Sequence, residues 1–368
     1  MKIQKGLPGL ILVGGLWGAL AVSGILKAPD AYSLSERRPL AQMPPVTAES
    51  VLTGSFVSDF ETYSLDQFPL RDPFRTLKAM TSFYALGKKD NNDIYLADGY
   101  AAKLEYPLNE ESVSGAADKL NALYDTYIKD KGGKVYLAVA PDKGYYLGKA
   151  NGFPSMDYER MVTILTEKMP QATYIDLFGT LSVEDYYKTD THWRQEKLLS
   201  ASRVLTEAMG VNGIGEDYAV VTPETPFYGV YYGQSALPLP AESISYISNE
   251  VLDSCTVTNI ETGKSYIGMI DVEKIDSKDP YEMFLSGASP LIVIENPNAA
   301  GYKELVIFRD SFGSSMAPLL VSDYKKVTLV DTRYIAPRLL GNFVEFEGAD
   351  VLFLYSTLIL NQSAVLKD

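Results

Sequence analysis

One histidine occurs in the 368 residues. Any step that needs an imidazole near neutral pH must therefore run through His192. It stands in Thr189-Asp190-Thr191-His192-Trp193, with a carboxylate two positions before it. From the same loop Asp190 can reach the imidazole, fix its tautomer and leave the other ring nitrogen facing a hydroxyl. The best-placed hydroxyl is Ser311. An apolar run over 305–308 leads into Arg309-Asp310-Ser311-Phe312-Gly313-Ser314-Ser315, a small-residue turn of the kind that starts a helix. Backbone N–H groups after Ser311 would face a developing oxyanion. Residue chemistry leaves the rival readings open: Ser311 as a helix cap, and His192 as a solvated loop histidine beside a capping Asp190.

Composition narrows the classes. Hydrophobic residues make up 46% and charged residues 22%, an ordinary globular balance. The net charge of −14 argues against nucleic acid as a partner and against docking on anionic lipid through a basic face. One Cys and one His cannot build a zinc site, and Cys255 cannot form an internal disulfide. No cofactor is implied. Asn91-Asn92-Asp93 reads as a turn rather than a calcium loop.

The elements that must position these residues follow from pattern. Lys2 and Lys5 precede a charge-free apolar run over residues 7–26, long enough for a bilayer span. The basic flank would stay in the cytoplasm and send the rest outward. A retained signal anchor is favoured over a cleaved signal peptide, because the run exceeds the usual h-region. Residues 27–50 read as a linker broken by Pro29, Pro39, Pro44 and Pro45. Helices are expected from 51, from near Pro73 to Leu86, over 113–127, 158–168 and 196–209. A hairpin turn is expected at Asp98-Gly99. Strands are expected at 135–140, 174–177, 305–308, 327–330 and 351–355. The first of these is continuously apolar, hence buried on both faces. Strands alternating with helices predict an α/β fold with a mainly parallel sheet and helices on both faces. The texture over 221–298 predicts a β-rich insertion or rim, so the α/β domain spans 51–368.

Asp190-Thr191-His192-Trp193, together with Phe308-Arg309-Asp310-Ser311-Phe312, resembles the bacterial DHHW family. That family is related to the SGNH-hydrolase-like domains of alginate O-acetyltransferases. Further matching pieces run in order along the chain. They are Ser35-Glu36-Arg37-Arg38-Pro39-Leu40, Phe60-Glu61-Thr62-Tyr63, Asp66-Gln67-Phe68-Pro69-Leu70-Arg71, Pro141-Asp142-Lys143, Phe227-Tyr228-Gly229, Asp279-Pro280-Tyr281, Asp331-Thr332-Arg333-Tyr334 and Asp350-Val351-Leu352. The resemblance implies an SGNH-hydrolase-like (flavodoxin-like) fold, with Asp190, His192 and Ser311 as acid, base and nucleophile. The name motif has His where Thr191 stands. Gly287 and Asn296 are weak candidates to complete an oxyanion hole.

The expected activity is O-acyl transfer, acetyl foremost, to an extracytoplasmic polysaccharide through an acyl-serine. A membrane-bound O-acyltransferase is the partner the resemblance implies as acyl supplier. The rivals are a carbohydrate acetylesterase using the same residues and a non-catalytic glycan-binding or scaffold domain. Arg333 and Arg309 could hold an anionic sugar or organise the Ser311 loop, with a structural ion pair the simpler role for each. Trp193 is a candidate substrate contact, and could instead shield the His-Asp pair or only pack. The 26 Tyr residues could offer stacking faces to a glycan, though most belong to packing.

Overall fold

The computed structural model describes residues 7–368, so Lys2 and Lys5 lie outside the described residues. Two compact units emerge, one from residues up to Asn92 with Tyr232–Pro238, the other from Asp93–Tyr231 with Leu239–Asp368.

The first unit begins with an apolar helix, Leu7–Leu26. Among the described residues no helix is long and apolar enough to cross a membrane, so the expected span gains no support from the fold. The proline-broken stretch that follows forms a short antiparallel pair, Tyr32–Ser33 with Arg38–Pro39. The helices Ser55–Asp66 and Arg71–Met80 come next. An ion network joins these pieces. The Arg38 guanidinium donates to Asp66 at 2.6 and 2.9 Å, and Ala41 N–H donates to the same carboxylate at 2.9 Å. These partners hold the Asp66 carboxyl down at about 2, the Arg38 hydrogen bond being the largest cause. Glu36 pairs with Arg71 and with Arg75. Gln67 donates its amide to the carbonyls of Asp30 and Ala41 at 2.9 Å. The early matching motifs are thus a polar clasp that ties loop to helix.

The second unit is built on an eight-stranded sheet. In chain order the strands are β1 (Val135–Ala140), β2 (Thr173–Ile175), β3 (Thr256–Asn259), β4 (Lys264–Ile267), β5 (Leu291–Glu295), β6 (Lys303–Arg309), β7 (Tyr324–Val330) and β8 (Asp350–Ser356). Their spatial order is β4-β3-β5-β7-β6-β8-β1-β2. The run β7-β6-β8-β1-β2 is parallel. The strands β4, β3 and β5 extend it antiparallel. The fold is therefore mixed α/β with a large, mostly parallel sheet.

All of β1 and β8 is buried, because both faces of the sheet are covered. Tyr136, Ala138, Ile307 and Leu352 join Leu198, Ala201 and Leu205 of the helix Leu199–Met209 and its lead-in. Val135, Leu137, Val306 and Phe353 join Val113 and Leu120 of Glu110–Leu123 and Met161 and Leu165 of Tyr158–Lys168. Each such Leu or Val stabilises the unit by about 1.5–3 kcal/mol. That is why the runs read as continuous rather than alternating.

The β-rich insertion expected over 221–298 is only partly a rim. Its strands β3, β4 and β5 continue the main sheet, because Val257, Ile292 and Ile294 feed the same core as Ile307 and Leu329. Parallel strands put their carboxyl ends on one edge, where sites gather in open α/β sheets. Asp142 and Lys143 follow β1 there, Ser311 follows β6 and Asp331 follows β7.

Candidate active site

The His192 loop is a tight hairpin. Tyr186 and Trp193 form an antiparallel bridge at its base. Arg194 N–H donates to the Asp185 carbonyl at 2.8 Å, and Tyr187 N–H donates to the His192 carbonyl at 3.2 Å. Glu242 closes the outer side, taking Lys188 N–H and Thr189 N–H at 2.6 Å and the Thr189 hydroxyl at 2.7 Å.

Asp190 is fully buried. Its Oδ1 accepts His192 N–H at 3.0 Å, and its Oδ2 accepts Val230 N–H at 2.7 Å. Gly229 makes the second bond reachable. A Cβ there would stand 2.3 Å from the Thr189 carbonyl oxygen and 2.4 Å from the Asp190 Cα. The Phe227-Tyr228-Gly229 motif is thus a place where one backbone lies on another. Thr191 takes the Tyr231 hydroxyl at 3.0 Å, so the position that carries His in the name motif here accepts a tyrosine O–H.

The Ser311 turn is equally constrained. Asp310 accepts Phe312 N–H at 2.9 Å and Ser356 N–H at 2.7 Å, which ties the start of the helix Phe312–Met316 to the end of β8. A Cβ on Gly313 would meet the Arg309 Cβ at 2.5 Å, so glycine lets the turn fold back on its own strand. Ser311 makes no side-chain cap bond to the helix. Its Oγ instead lies 2.7 Å from His192 Nε2, while His192 Nδ1 lies 2.6 Å from Asp190 Oδ1. With Nδ1–H donating to the carboxylate, Nε2 is the acceptor for the serine hydroxyl. Residues separated by 119 positions share one hydrogen-bonded chain.

Two expectations need correction. The N–H groups after Ser311 are committed within the protein: Phe312 to the Asp310 carboxylate at 2.9 Å, Gly313 to the Asp310 carbonyl at 3.1 Å and Ser314 to the Ser311 carbonyl at 3.2 Å. The turn closes on itself through these three N–H groups, and the N–H of Ser311 is not among them. Gly287 and Asn296 are also spent. Gly287 N–H donates to the Phe284 carbonyl at 3.3 Å. The Asn296 amide donates to the Val321 carbonyl at 2.9 Å, and its oxygen accepts Asn298 N–H at 2.9 Å.

The two arginines share one carboxylate. Arg309 is fully buried, with a guanidinium nitrogen 3.5 Å from Asp331. Arg333 forks onto the same carboxylate at 2.9 and 2.6 Å. Burial keeps Arg309 from meeting a sugar, and its contact with Asp331 is the structural ion pair that was the simpler role. Trp193, also placed among substrate contacts, is fully buried and donates its indole N–H to Ser315 Oγ at 2.9 Å. It packs behind the helix Phe312–Met316, and no substrate can touch it. Among the described residues no group of three or more His, Cys, Asp or Glu could hold a metal ion.

Sequence reasoning missed Tyr281. Its ring stacks on the imidazole with centroids 3.7 Å apart and planes 7° apart, and its hydroxyl bonds Ser315 Oγ at 2.8 Å. The stack fixes the imidazole plane and excludes water from one face. The Asp279-Pro280-Tyr281 motif was the available signal, but it names no chemistry. Glu242 and Val230 had no signal, since a lone carboxylate and a backbone N–H carry none.

Three comparisons bear on this geometry. A family model described as DHHW protein matches residues 171–330. This is the family the motifs resemble, and the match takes in Asp190, His192 and Ser311. No curated protein matches the chain. Among solved structures, a DHHW family protein from Eubacterium siraeum DSM 15702 is 19% identical with a TM-score of 0.61, covering 76% of this chain and 97% of that one. Bacillus cereus PatB1, described with a sulfonyl adduct, is 18% identical with a TM-score of 0.58, covering 75% and 97%. The O-acetyltransferase domain of Pseudomonas putida AlgJ is 15% identical with a TM-score of 0.44, covering 75% and 93%. At these identities the first two likenesses are of fold alone.

Proposed function

For a chain that carries the DHHW pattern over residues 171–330, we propose O-acyl transfer, with acetyl as the acyl group, to a cell-surface polysaccharide. The observation that carries this reading is the paired contact of His192, 2.7 Å to Ser311 Oγ and 2.6 Å to Asp190. His192 Nε2 takes the Ser311 proton as Oγ attacks the carbonyl of an acyl ester. Asp190 stabilises the imidazolium. The Ser311 N–H is the donor aimed at the oxyanion. The tetrahedral carbon then expels the donor's alcohol, which takes the proton from His192, and an acyl-serine remains. A sugar hydroxyl, deprotonated by the same imidazole, attacks that ester. The sugar leaves acylated and Ser311 regains its proton. A membrane-bound O-acyltransferase would present the acyl donor, since acyl-coenzyme A is confined to the cytoplasm.

The reaction is tested with full-length protein in detergent, an activated acetyl ester and an acceptor oligosaccharide. Mass spectrometry is expected to find the acetyl group first on Ser311 and then on the sugar. Release of acetate alone, with the sugar unchanged, would make the protein an esterase. An unmodified Ser311 would leave a binding or scaffold role. Bacillus cereus PatB1 is described with a sulfonyl adduct, so a sulfonyl fluoride is the matching covalent probe here.

The same reading includes a signal anchor over residues 7–26 that leaves the domain outside the cytoplasm. It rests on the sequence alone, on the basic flank of Lys2 and Lys5 and the charge-free apolar run over residues 7–26. Cell fractionation is expected to recover the protein in membranes after carbonate washing, and a version lacking residues 2–26 in the soluble fraction. Wild-type protein washed free by carbonate would end the anchor reading.

A further inference from the structure

A lysine inside the protein has to be explained, because burying an ammonium costs free energy unless its donors are satisfied. Lys143, the last residue of Pro141-Asp142-Lys143, is 2% exposed. No carboxylate pairs with it in a salt bridge among the described residues. Its Nζ donates to the Tyr187 carbonyl at 2.8 Å and the Lys188 carbonyl at 3.3 Å. The Tyr231 ring lies over the ammonium at 5.0 Å and the Tyr100 ring at 5.9 Å.

The carbonyls it grips belong to the hairpin that carries Asp190 and His192. Tyr187 N–H holds the His192 carbonyl at 3.2 Å, and Tyr231 N–H holds the Thr189 carbonyl at 2.9 Å. We propose that Lys143 is the positioning residue of this site: its ammonium pins the Tyr187–Lys188 segment of the hairpin to the turn after β1 and thereby sets where Asp190 and His192 stand. The inference rests on the acyl-transfer reading for its effect on rate, but not for its effect on the imidazole.

The pin is sensitive to pH. Charge-assisted bonds are about twice as strong as neutral ones, so loss of the proton loosens the grip. Burial pushes Lys143 down to about 7, against the opposing pull of Asp190, Glu242 and Asp142, the charged groups that face it. The Lys188 ammonium also lies over the Tyr100 ring, 5.8 Å from its centre. Asp142 turns its oxygens elsewhere, to Thr357 and Tyr158 hydroxyls and to Gly144 N–H.

The test compares wild type with Lys143→Met in two measurements on the full chain. The first is the rate of Ser311 sulfonylation against pH. Wild type is expected to lose rate on the alkaline side as Lys143 gives up its proton and its charge. Lys143→Met is expected to lack that limb and to react about 100-fold more slowly at saturating probe, with half-saturation little changed. A residue that merely supports the fold would lower the melting temperature and leave the pH profile alone. The second is the ring 15N spectrum, unambiguous because the chain has one histidine. His192 is expected to report a second ionisation in wild type that disappears in Lys143→Met. If wild type is not sulfonylated, the acyl-transfer reading fails, and the ring spectrum still decides the role of Lys143. If Lys143→Met does not fold, the wild-type spectrum decides it alone. A wild-type His192 signal with a single ionisation overturns the proposal, as does a Lys143→Met rate and profile equal to wild type.

Discussion

Ser311→Ala is expected to abolish covalent capture by acetyl esters and sulfonyl fluorides, and His192→Ala to slow it by about 10⁶-fold, the loss typical when one member of a unitary catalytic group is removed. The expectation is this large because the site holds no substitute. The chain has no second histidine. The nearest other carboxylate on the turn, Asp310, already accepts Phe312 N–H and Ser356 N–H. Ser311→Ala should not disturb the fold. Ser311 Oγ caps no helix, and its side-chain bond is to His192 alone among the described residues. Intact-mass kinetics alongside circular dichroism checks both halves. Capture that persists in folded Ser311→Ala at the wild-type rate would place the nucleophile elsewhere.

Asp190→Asn is expected to lower the same rate by about 10⁴-fold, as loss of the correct tautomer does in serine hydrolases, and to cost about 1–3 kcal/mol of stability. The reason is a count of donors. Oδ1 receives both His192 N–H and His192 Nδ1–H, and Oδ2 receives Val230 N–H. An asparagine must turn its NH2 toward one of those sides. On the imidazole side it forces the proton onto Nε2, where it opposes the Ser311 hydroxyl. On the other side it leaves two donors facing each other in a fully buried place. Thermal melts and labelling rates measure the two losses. A rate within tenfold of wild type would mean that Asp190 only shapes the loop.

Much of the scaffold was legible in the chain. The strands at 135–140, 305–308, 327–330 and 351–355 announced themselves as unbroken apolar runs, because both faces of the sheet are covered. The Tyr158–Lys168 helix followed from its periodicity. The role of the 221–298 region was harder to read. Strands added antiparallel to an edge have the same composition as a separate rim, and only pairing distinguishes them. The oxyanion expectation failed for a comparable reason. A turn after a strand offers free N–H groups in general, but Asp310 and the turn's own carbonyls use these. Tyr281 could not be singled out among 26 tyrosines, since stacking depends on where a ring lies rather than on its neighbours in sequence.

By itself the amino-acid order determined that imidazole chemistry, if any, belongs to His192, that Asp190 is near it, and that a parallel sheet delivers Ser311 to an edge. Those are local facts, set by spacing of a few residues and by hydrophobic pattern. Only the tertiary structure decided that Ser311 meets Nε2 across 119 positions, that Arg309 and Trp193 are walled in, and that Lys143 grips the hairpin from beneath. Each of those depends on which strands become neighbours, a consequence of burying two faces of one sheet at once, and no short stretch of sequence contains that choice.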